Sequence, residues 1–458
     1  MDATERESRS QAAAGLVDGL ADHGVVGVAT TFVDNSGITR VKAFPLAKLP
    51  QVAGWGVGIS TSFDRFRADD WIAGSGRGEE PVGDLRMIPD VRRVVPLAGQ
   101  PGWAWAPGER YQQSGEPHPQ CGRLLLGRLV EALAGMGLSM RTTFEVEWVI
   151  SHGFGDDFVP AVQGPGYGMA RLIDQSDYCR DVLQALGDEG VEVDQFHPEY
   201  AAGQLEVSVA AESPVPAADT SVLTRSTIRA VGRQHGFRTS FSPKVAVPGV
   251  GNGGHVHLSL WRDGKTLMAG GDGPSGLTAE AASFCSGILS RLDALLAIGA
   301  PSPASYLRLV ASHWAGVYAC WGVENREAAM RVVTGSAGSE SRAANVEIKC
   351  FDLHANPYLV LAGLVAAGSA GIGEQAGLPE PVDVDPAVLD DETLASRGIR
   401  RLPTTLAEAV AAFQSDDVLP AALGADLMAS IVAIRESDIE HYAELDESAL
   451  AAATRWLH

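Results

Sequence analysis

Apolar and polar side chains alternate with a period of two in four separated stretches: Phe144-Glu145-Val146-Glu147-Trp148, residues 199–206 (EYAAGQLE), His255-Val256-His257 and Val346-Glu347-Ile348. That is the period of a β-strand, whose successive side chains point to opposite faces. Glu145 and Glu147 therefore share a face, while Phe144, Val146 and Trp148 turn towards a core. Leu205, Val207 and Val209 make the apolar face of the strand at the end of the second stretch, which leaves Glu206 on the polar one. Glu347 and Lys349 likewise share a face opposite Val346, Ile348 and Cys350. Alternation also predicts a strand at residues 25–34, the turn Asn35-Ser36-Gly37, and a return strand at 38–44, together a hairpin. Helices are predicted over residues 9–23, 120–135, 176–187, 218–235 and 279–298, and the stretch 405–458 reads as helical. The apolar run 358–373 is rich in Ala and Gly and too short to cross a bilayer, so it predicts a buried helix. Residues 63–83 read as a loop and 373–402 as an acidic, Pro-rich surface excursion. A stretch dense in Pro, Gly and Trp, 96–115, holds the expected boundary between domains at 1–112 and 113–458.

Composition narrows the class. The chain is 45% hydrophobic and 20% charged, the balance of a globular enzyme. A formal net charge of −22, with no basic stripe, argues against nucleic acid and against anionic membrane as partners. The start, MDATERESRSQAAAGL, lacks the basic and apolar regions of a signal peptide. Five cysteines, odd in number and without a CxxC pair, imply neither a disulfide framework nor a zinc finger, so a cytoplasmic location is expected.

The alternating stretches carry six potential metal ligands: Glu145, Glu147, Glu199, Glu206, His255 and Glu347. Five carboxylates and an imidazole converging on one site would repel strongly unless divalent cations filled it. A cationic set accompanies them, Arg308, Arg326, Arg331 and Lys349. Metal-held phosphate oxygens and guanidinium groups that neutralise developing charge are the requirements of phosphoryl transfer. No GxxxxGK[ST] motif is present, so the nucleotide is not held by a P-loop.

Taken in order, FEVEW, HPEYAAGQLE, GNGGHVHLSL, NREAAMR, NVEIK and FDLHANPYLVLAGLVAAG, with TTFVDNSGITRVKAF and GDLRMIPD near the N-terminus, resemble the glutamine synthetase superfamily over nearly the whole chain. The resemblance implies an α+β fold: an N-terminal β-grasp-like domain, then a catalytic domain with a curved antiparallel sheet flanked by helices. It implies ATP as co-substrate and two or three Mg²⁺ (or Mn²⁺) ions per site. Glu147, Glu199 and Glu206 match the ligands of one ion; Glu145, His255 and Glu347 match those of another. His257 and Ser259 match positions near the ATP phosphates and adenine, and Arg308 a glutamate-binding arginine. Arg326 and Arg331 match phosphate-binding arginines, and Gly251 and Lys349 stand in the part that grips glutamate. Asp84 matches the aspartate that a neighbouring subunit lends to the ammonium site, and Tyr167 a tyrosine beside it. Homo-oligomers are implied, hexameric rings stacked as dodecamers, with active sites between subunits.

Three positions depart from the family pattern. The flap glutamate that closes over ammonium falls on Trp314, whose indole can stack on a cation or cover an alkyl chain. The second arginine of the family's RxExR is Lys349, which lacks a bidentate fork. Val250 replaces an asparagine of the glutamate-gripping loop, with Asn252 two residues on as a substitute. The pattern is similar to that of γ-glutamyl–amine ligases, and a small primary monoamine is the expected co-substrate, since a long dication would want extra carboxylates near the entrance. Glutamine synthesis from ammonium and a non-catalytic assembly protein are the alternatives.

Overall fold

The computed structural model describes residues 1–74 and 83–458, so part of the loop expected at 63–83 lies outside the described residues. Two sheets organise the chain. The first contains β1 (Gly27–Val33), β2 (Thr39–Pro45), β3 (Val57–Ser60), β4 (Asp84–Pro89), β5 (Val95–Pro96) and β6 (Trp103–Gln112). Their order is β2-β1-β6-β4-β3, with β5 against β6. The β1–β2 hairpin closes on the Asp34 carboxylate, which accepts the N–H groups of Ser36 and Ile38 at 2.9 and 3.0 Å. Gly37 has φ 82°, and a Cβ there would lie 1.8 Å from the His354 carbonyl oxygen. Glycine is thus needed both for the turn and for its seat on the rest of the molecule. Much of the Pro-, Gly- and Trp-dense stretch 96–115 is the ten-residue strand β6, which pairs with β1, β4 and β5.

The second sheet contains β7 (Ser139–His152), β8 (Val193–Pro198), β9 (Gln204–Val209), β10 (Phe237–Ser240), β11 (Val256–Arg262), β12 (Lys265–Thr266), β13 (Tyr318–Val323), β14 (Ala328–Val333), β15 (Asn345–Ile348) and β16 (Arg400–Arg401). Its order is β16-β13-β14-β15-β11-β7-β9-β8, with β10 on β7 and β12 on β11. The expected antiparallel pairing holds throughout this sheet except between β13 and β14, which run parallel.

One face of the second sheet is apolar. Phe144, Val146, Trp148, Leu205, Val207, Val256, Leu258, Val346 and Ile348 are buried in a core shared with helices Gly122–Gly135, Ser176–Asp188 and Pro214–Gln234. The Trp148 indole N–H donates to the Tyr178 hydroxyl at 3.0 Å, so the largest core side chain leaves no polar atom unpaired. Helix Pro357–Glu374 is apolar and long enough for a membrane span, yet residues 357–368 are all buried inside the protein. Arg123 joins the first sheet to the helices packed on the second: its buried guanidinium reaches Glu109 at 2.7 Å, Asp90 at 2.8 Å and Asp219, on helix Pro214–Gln234, at 2.9 Å.

Three expectations need correction. The helix expected at 9–23 is two, Ala3–Ala14 and Val17–Asp22, divided at Gly15. The one expected at 279–298 is also two, Ala279–Ser290 and Leu292–Gly299, bent by 69° at Arg291. Both halves are buried, so the apolar pattern runs through the break without marking it. The excursion at 373–402 is not wholly superficial: Val382 is buried, and the Trp321 indole donates to the Pro379 carbonyl at 2.7 Å.

Candidate active site

Strand register assembles the site. Glu147 on β7 stands directly opposite Glu206 on β9, and Glu206 opposite His197 on β8. Directly opposed residues share a face, so these three form a row across three strands. A second row crosses β11, β15 and β14 as His257, Glu347 and Arg331. Between the rows, the Glu145 amide donates to the His255 carbonyl at 2.9 Å, which places those two side by side. Both rows rise from the face opposite the apolar core, above a cavity of about 740 Å³.

The donor atoms fall into two groups, each within 4.8 Å: Glu145, His255 and Glu347, and His197, Glu199 and Glu206. In the first, His255 Nδ1 lies 2.9 Å from Glu145 Oε2 and 3.2 Å from Glu347 Oε1. His257 Nε2 approaches the other Glu145 oxygen at 3.1 Å. Burial pushes Glu145 up, but the two imidazoles outweigh it and hold the carboxyl below the usual range. Glu347 is held low in the same way, burial being overcome by Lys349 and the histidines. Against its own burial, His257 is raised to about 9 by Glu145.

In the second group, His197 sits 3.3 Å from Glu206 and 3.5 Å from Glu199. Its hydrogen bond to Glu206 raises it to about 9. Glu206 itself is pushed up to about 7 by burial and by the carboxylates of Glu145, Glu147 and Glu199. Two like charges within 4.8 Å of each other repel by about 3.5 kcal/mol or more at an effective dielectric constant of 20. The site therefore favours cations strongly, and its oxygen-rich donors suit hard ions such as Mg²⁺ or Mn²⁺. Glu147 belongs to neither tight group; its Oε2 accepts the Gln204 amide at 2.9 Å, and its Oε1 lies 3.9 Å from His255.

Cationic side chains line the same cavity. Arg308 donates to His255 Nε2 at 3.0 Å and to the Lys349 carbonyl at 2.9 Å, leaving its second terminal nitrogen buried and unpaired. Arg331 reaches Glu347 at 3.2 Å with its Nε unpaired, and Lys349 reaches Glu347 at 3.0 Å. Arg326 lines the cavity with no hydrogen bond among the described residues. Three guanidinium groups and an ammonium group thus stand at the wall of the cavity that holds the carboxylates, a setting suited to an anion beside the cation sites.

Two glycines keep the floor open. A Cβ on Gly251 would come 2.1 Å from the Pro243 carbonyl oxygen, and one on Gly253 would come 2.6 Å from both Glu147 Oε1 and His255 Nε2. Asn252 is no substitute for the missing family asparagine. Its amide is buried, donating to the Ser242 carbonyl and accepting from Gln204, while Val250 lines the cavity. Ser259 is buried beside Trp261, its hydroxyl oxygen accepting the indole N–H at 2.8 Å, and lies along β11 beyond His257. Tyr167 and Trp314 both line the cavity in left-handed backbone conformations, φ 57° and 58°. Burial and the carboxylates of Glu199, Glu147 and Glu206 push the Tyr167 phenol up. His257 and Ser259 do not line the cavity, although His257 touches Glu145 at its edge, and Asp84 lies on the other sheet, exposed at the start of β4 and outside the cavity.

Among the cavity residues that the sequence pattern did not single out are His197, Tyr200, Gln204 and Glu447. For His197 a signal existed, since His197-Pro198-Glu199 repeats the two-residue alternation of the other stretches.

Residues 119–449 match the family model described as glutamine synthetase, catalytic domain. The chain is 54% identical over 454 residues to a γ-glutamylpolyamine synthetase of Streptomyces coelicolor, covering 98% of this chain and 97% of that one. It is 33% identical over 286 residues to a glutamine synthetase of Methanocaldococcus jannaschii, covering 62% of each. Among solved structures, a novel glutamine synthase homolog aligns with TM-score 0.84 and 32% identity over 95% of this chain and 99% of that one. A GmaS–ADP complex aligns with TM-score 0.82 and 26% identity over 94% and 97%.

Proposed function

The chain belongs to the glutamine synthetase family and is a glutamate–amine ligase, and from that premise we propose that it joins the γ-carboxyl of glutamate to a primary organic amine, using ATP through a γ-glutamyl phosphate. The observation that carries this reading is the meeting, along one cavity, of two cation-seeking carboxylate–imidazole groups with the arginines Arg308, Arg326 and Arg331.

Glu145, His255 and Glu347 would hold one divalent ion, and Glu147, Glu199 and Glu206, with His197 beside them, the other. Bound there, Mg²⁺ or Mn²⁺ would polarise phosphate oxygens as a Lewis acid. Arg326 and Arg331 face the transferring phosphoryl group and neutralise its charge. Arg308 and Gly251 orient glutamate, with Lys349 holding Glu347 in place. Tyr167 and Glu199 mark the side where the amine attacks. That amine arrives protonated, so its proton needs a carboxylate, assigned here to Asp84 of a neighbouring copy in a ring-shaped oligomer. His257 and Ser259 are assigned to the nucleotide side of the site. Five buried, unpaired cysteines suit a reducing cytoplasm.

A polyamine is the first choice of amine. The relative at 54% identity carries that name, and Glu447 places a further carboxylate in the cavity for a second ammonium group. A small monoamine is the second reading, favoured by the Trp314 indole at the flap position. A phosphate-release screen with glutamate, ATP, Mg²⁺ and a panel from ammonium and methylamine to putrescine and spermidine tests both. Release should be greatest with organic amines and accompanied by the γ-glutamyl amide in mass spectra. Equal release with dilute ammonium would return the protein to glutamine synthesis, and none with any amine would favour the assembly protein.

A further inference from the structure

Part of the cavity wall is aromatic. Tyr200, in the turn between β8 and β9, meets Trp314 edge to face, with ring centroids 6.0 Å apart and planes at 84°. Tyr200 is 52% exposed and Trp314 48%, so neither ring is packed into the core. Both are nevertheless fixed from behind. The left-handed backbone of Trp314 is tied by its N–H, which donates to the buried Glu327 carboxylate at 2.8 Å. Tyr200 is tied by Arg171, a buried guanidinium whose hydrogen-bond acceptors are all main-chain carbonyls. It donates to Gly164 at 3.1 Å, Glu199 and Ala201 at 2.6 Å and Tyr200 at 3.2 Å. A buried charge used in this way braces the loop that carries Tyr167 against the turn that carries Glu199 and Tyr200. The two loops also touch directly: a Cβ on Gly166 would lie 3.1 Å from Tyr200 Cα.

We propose that Tyr200 and Trp314 form a paired aromatic wall that selects the amine by its methylene stem and attached ammonium group, and that Arg171 is the positioning residue for the tyrosine half. The inference rests on the ligase reading and narrows it. Ring faces attract a cation and cover apolar CH₂ groups at once, whereas a bare, fully hydrated ammonium ion offers them no stem to cover. The ring of Tyr200, not its hydroxyl, is the working part, since that hydroxyl has no hydrogen-bond partner among the described residues.

Steady-state kinetics of the full-length protein with putrescine, methylamine and ammonium test the proposal. Tyr200→Ala and Trp314→Ala should each raise KM for putrescine by about tenfold, with KM for glutamate and ATP unmoved. Ammonium use should fall by a smaller factor than putrescine use, since ammonium has no stem to cover, and Tyr200→Phe should keep the wild-type KM for putrescine. Arg171→Lys should reproduce the putrescine defect with the glutamate KM intact, which a general loss of folded protein would not do. An active wild type whose Tyr200→Ala variant keeps its putrescine KM, or loses ammonium and putrescine activity equally, overturns the wall alone. A wild type that forms no amide from any amine overturns the ligase reading beneath it.

Discussion

At the scale of the residue, the site depends on charges that are tolerable only in combination. Glu347 touches His255 at 3.2 Å, Lys349 at 3.0 Å and Arg331 at 3.2 Å while almost fully buried. Glu347→Ala removes a proposed ligand and leaves three cationic or cation-ready groups facing each other. Turnover should fall by at least a hundredfold, since even an outer-shell partner of a metal site is worth about 10–100-fold. Mn²⁺ binding followed by electron paramagnetic resonance should lose one ion per chain. Full activity or unchanged Mn²⁺ stoichiometry would remove Glu347 from the ligand set. The placement of Glu145, Glu147, Glu206, His255 and Glu347 on one face was legible because a two-residue period fixes sidedness before any tertiary contact forms. Arg171 and Tyr200 were not. Their roles come from carbonyls and rings brought together by loops, and no local pattern encodes that.

At the scale of the element, the C-terminal helix delivers His458 into the interior. Its ring stacks on His354 with centroids 3.9 Å apart, and its Nε2 lies 2.8 Å from the Ser36 carbonyl in the β1–β2 turn. Burial holds His458 down at about 3 and His354 well below its usual value. A base with a lowered folded pKa contributes stability above its unfolded value, about 6.5, and that stability is lost as the pH falls further. Arg225 and Arg435 face the pair and oppose its protonation, and Tyr442 shares its small cavity. The surrounding Asp34, Asp352 and Asp438, each raised to about 6 by burial, work in the opposite sense. They take up protons in the folded state first and so stabilise it on acidification. The two effects offset each other in the wild type. His458→Gln removes one imidazole's share, up to ~1.4 kcal/mol per pH unit below 6.5. The variant should melt below wild type at pH 7, with the gap in Tm closing towards pH 5; a gap that stays constant would show that His458 does not titrate on unfolding. The helix itself was legible from its pattern, but its destination was not, because His458 contacts Ser36 across 422 positions of sequence. The same limit hid the bend at Arg291 and the strand within 96–115, where Pro107 and Gly108 mimic a loop while Ala104, Trp105 and Ala106 are buried.

At the scale of the whole molecule, one chain holds an incomplete set of the proposed groups. The cation sites and arginines share a cavity on the second sheet, whereas Asp84 stands exposed on the first sheet, outside that cavity. A head-to-tail contact between copies would bring the first sheet of one to the second sheet of the next, and repeated rotation closes such contacts into a ring. This arrangement makes a prediction that no single-chain site shares. Asp84→Asn and Glu347→Ala should each be inactive alone, the first through the neighbour's site and the second through its own. When the two are dissociated, mixed in equal amounts and reassembled, a site works only if its own chain carries Glu347 and the adjoining chain carries Asp84. Each condition is met half the time, so about one site in four recovers, and activity should return to roughly a quarter of the wild-type value. Native mass spectrometry would establish that mixed assemblies had formed and count the copies in each. Mixed assemblies that stay inactive, or an Asp84→Asn protein with full turnover, would confine the active site to one chain and require a carboxylate within the cavity, Glu199 or Glu447, to accept the amine's proton.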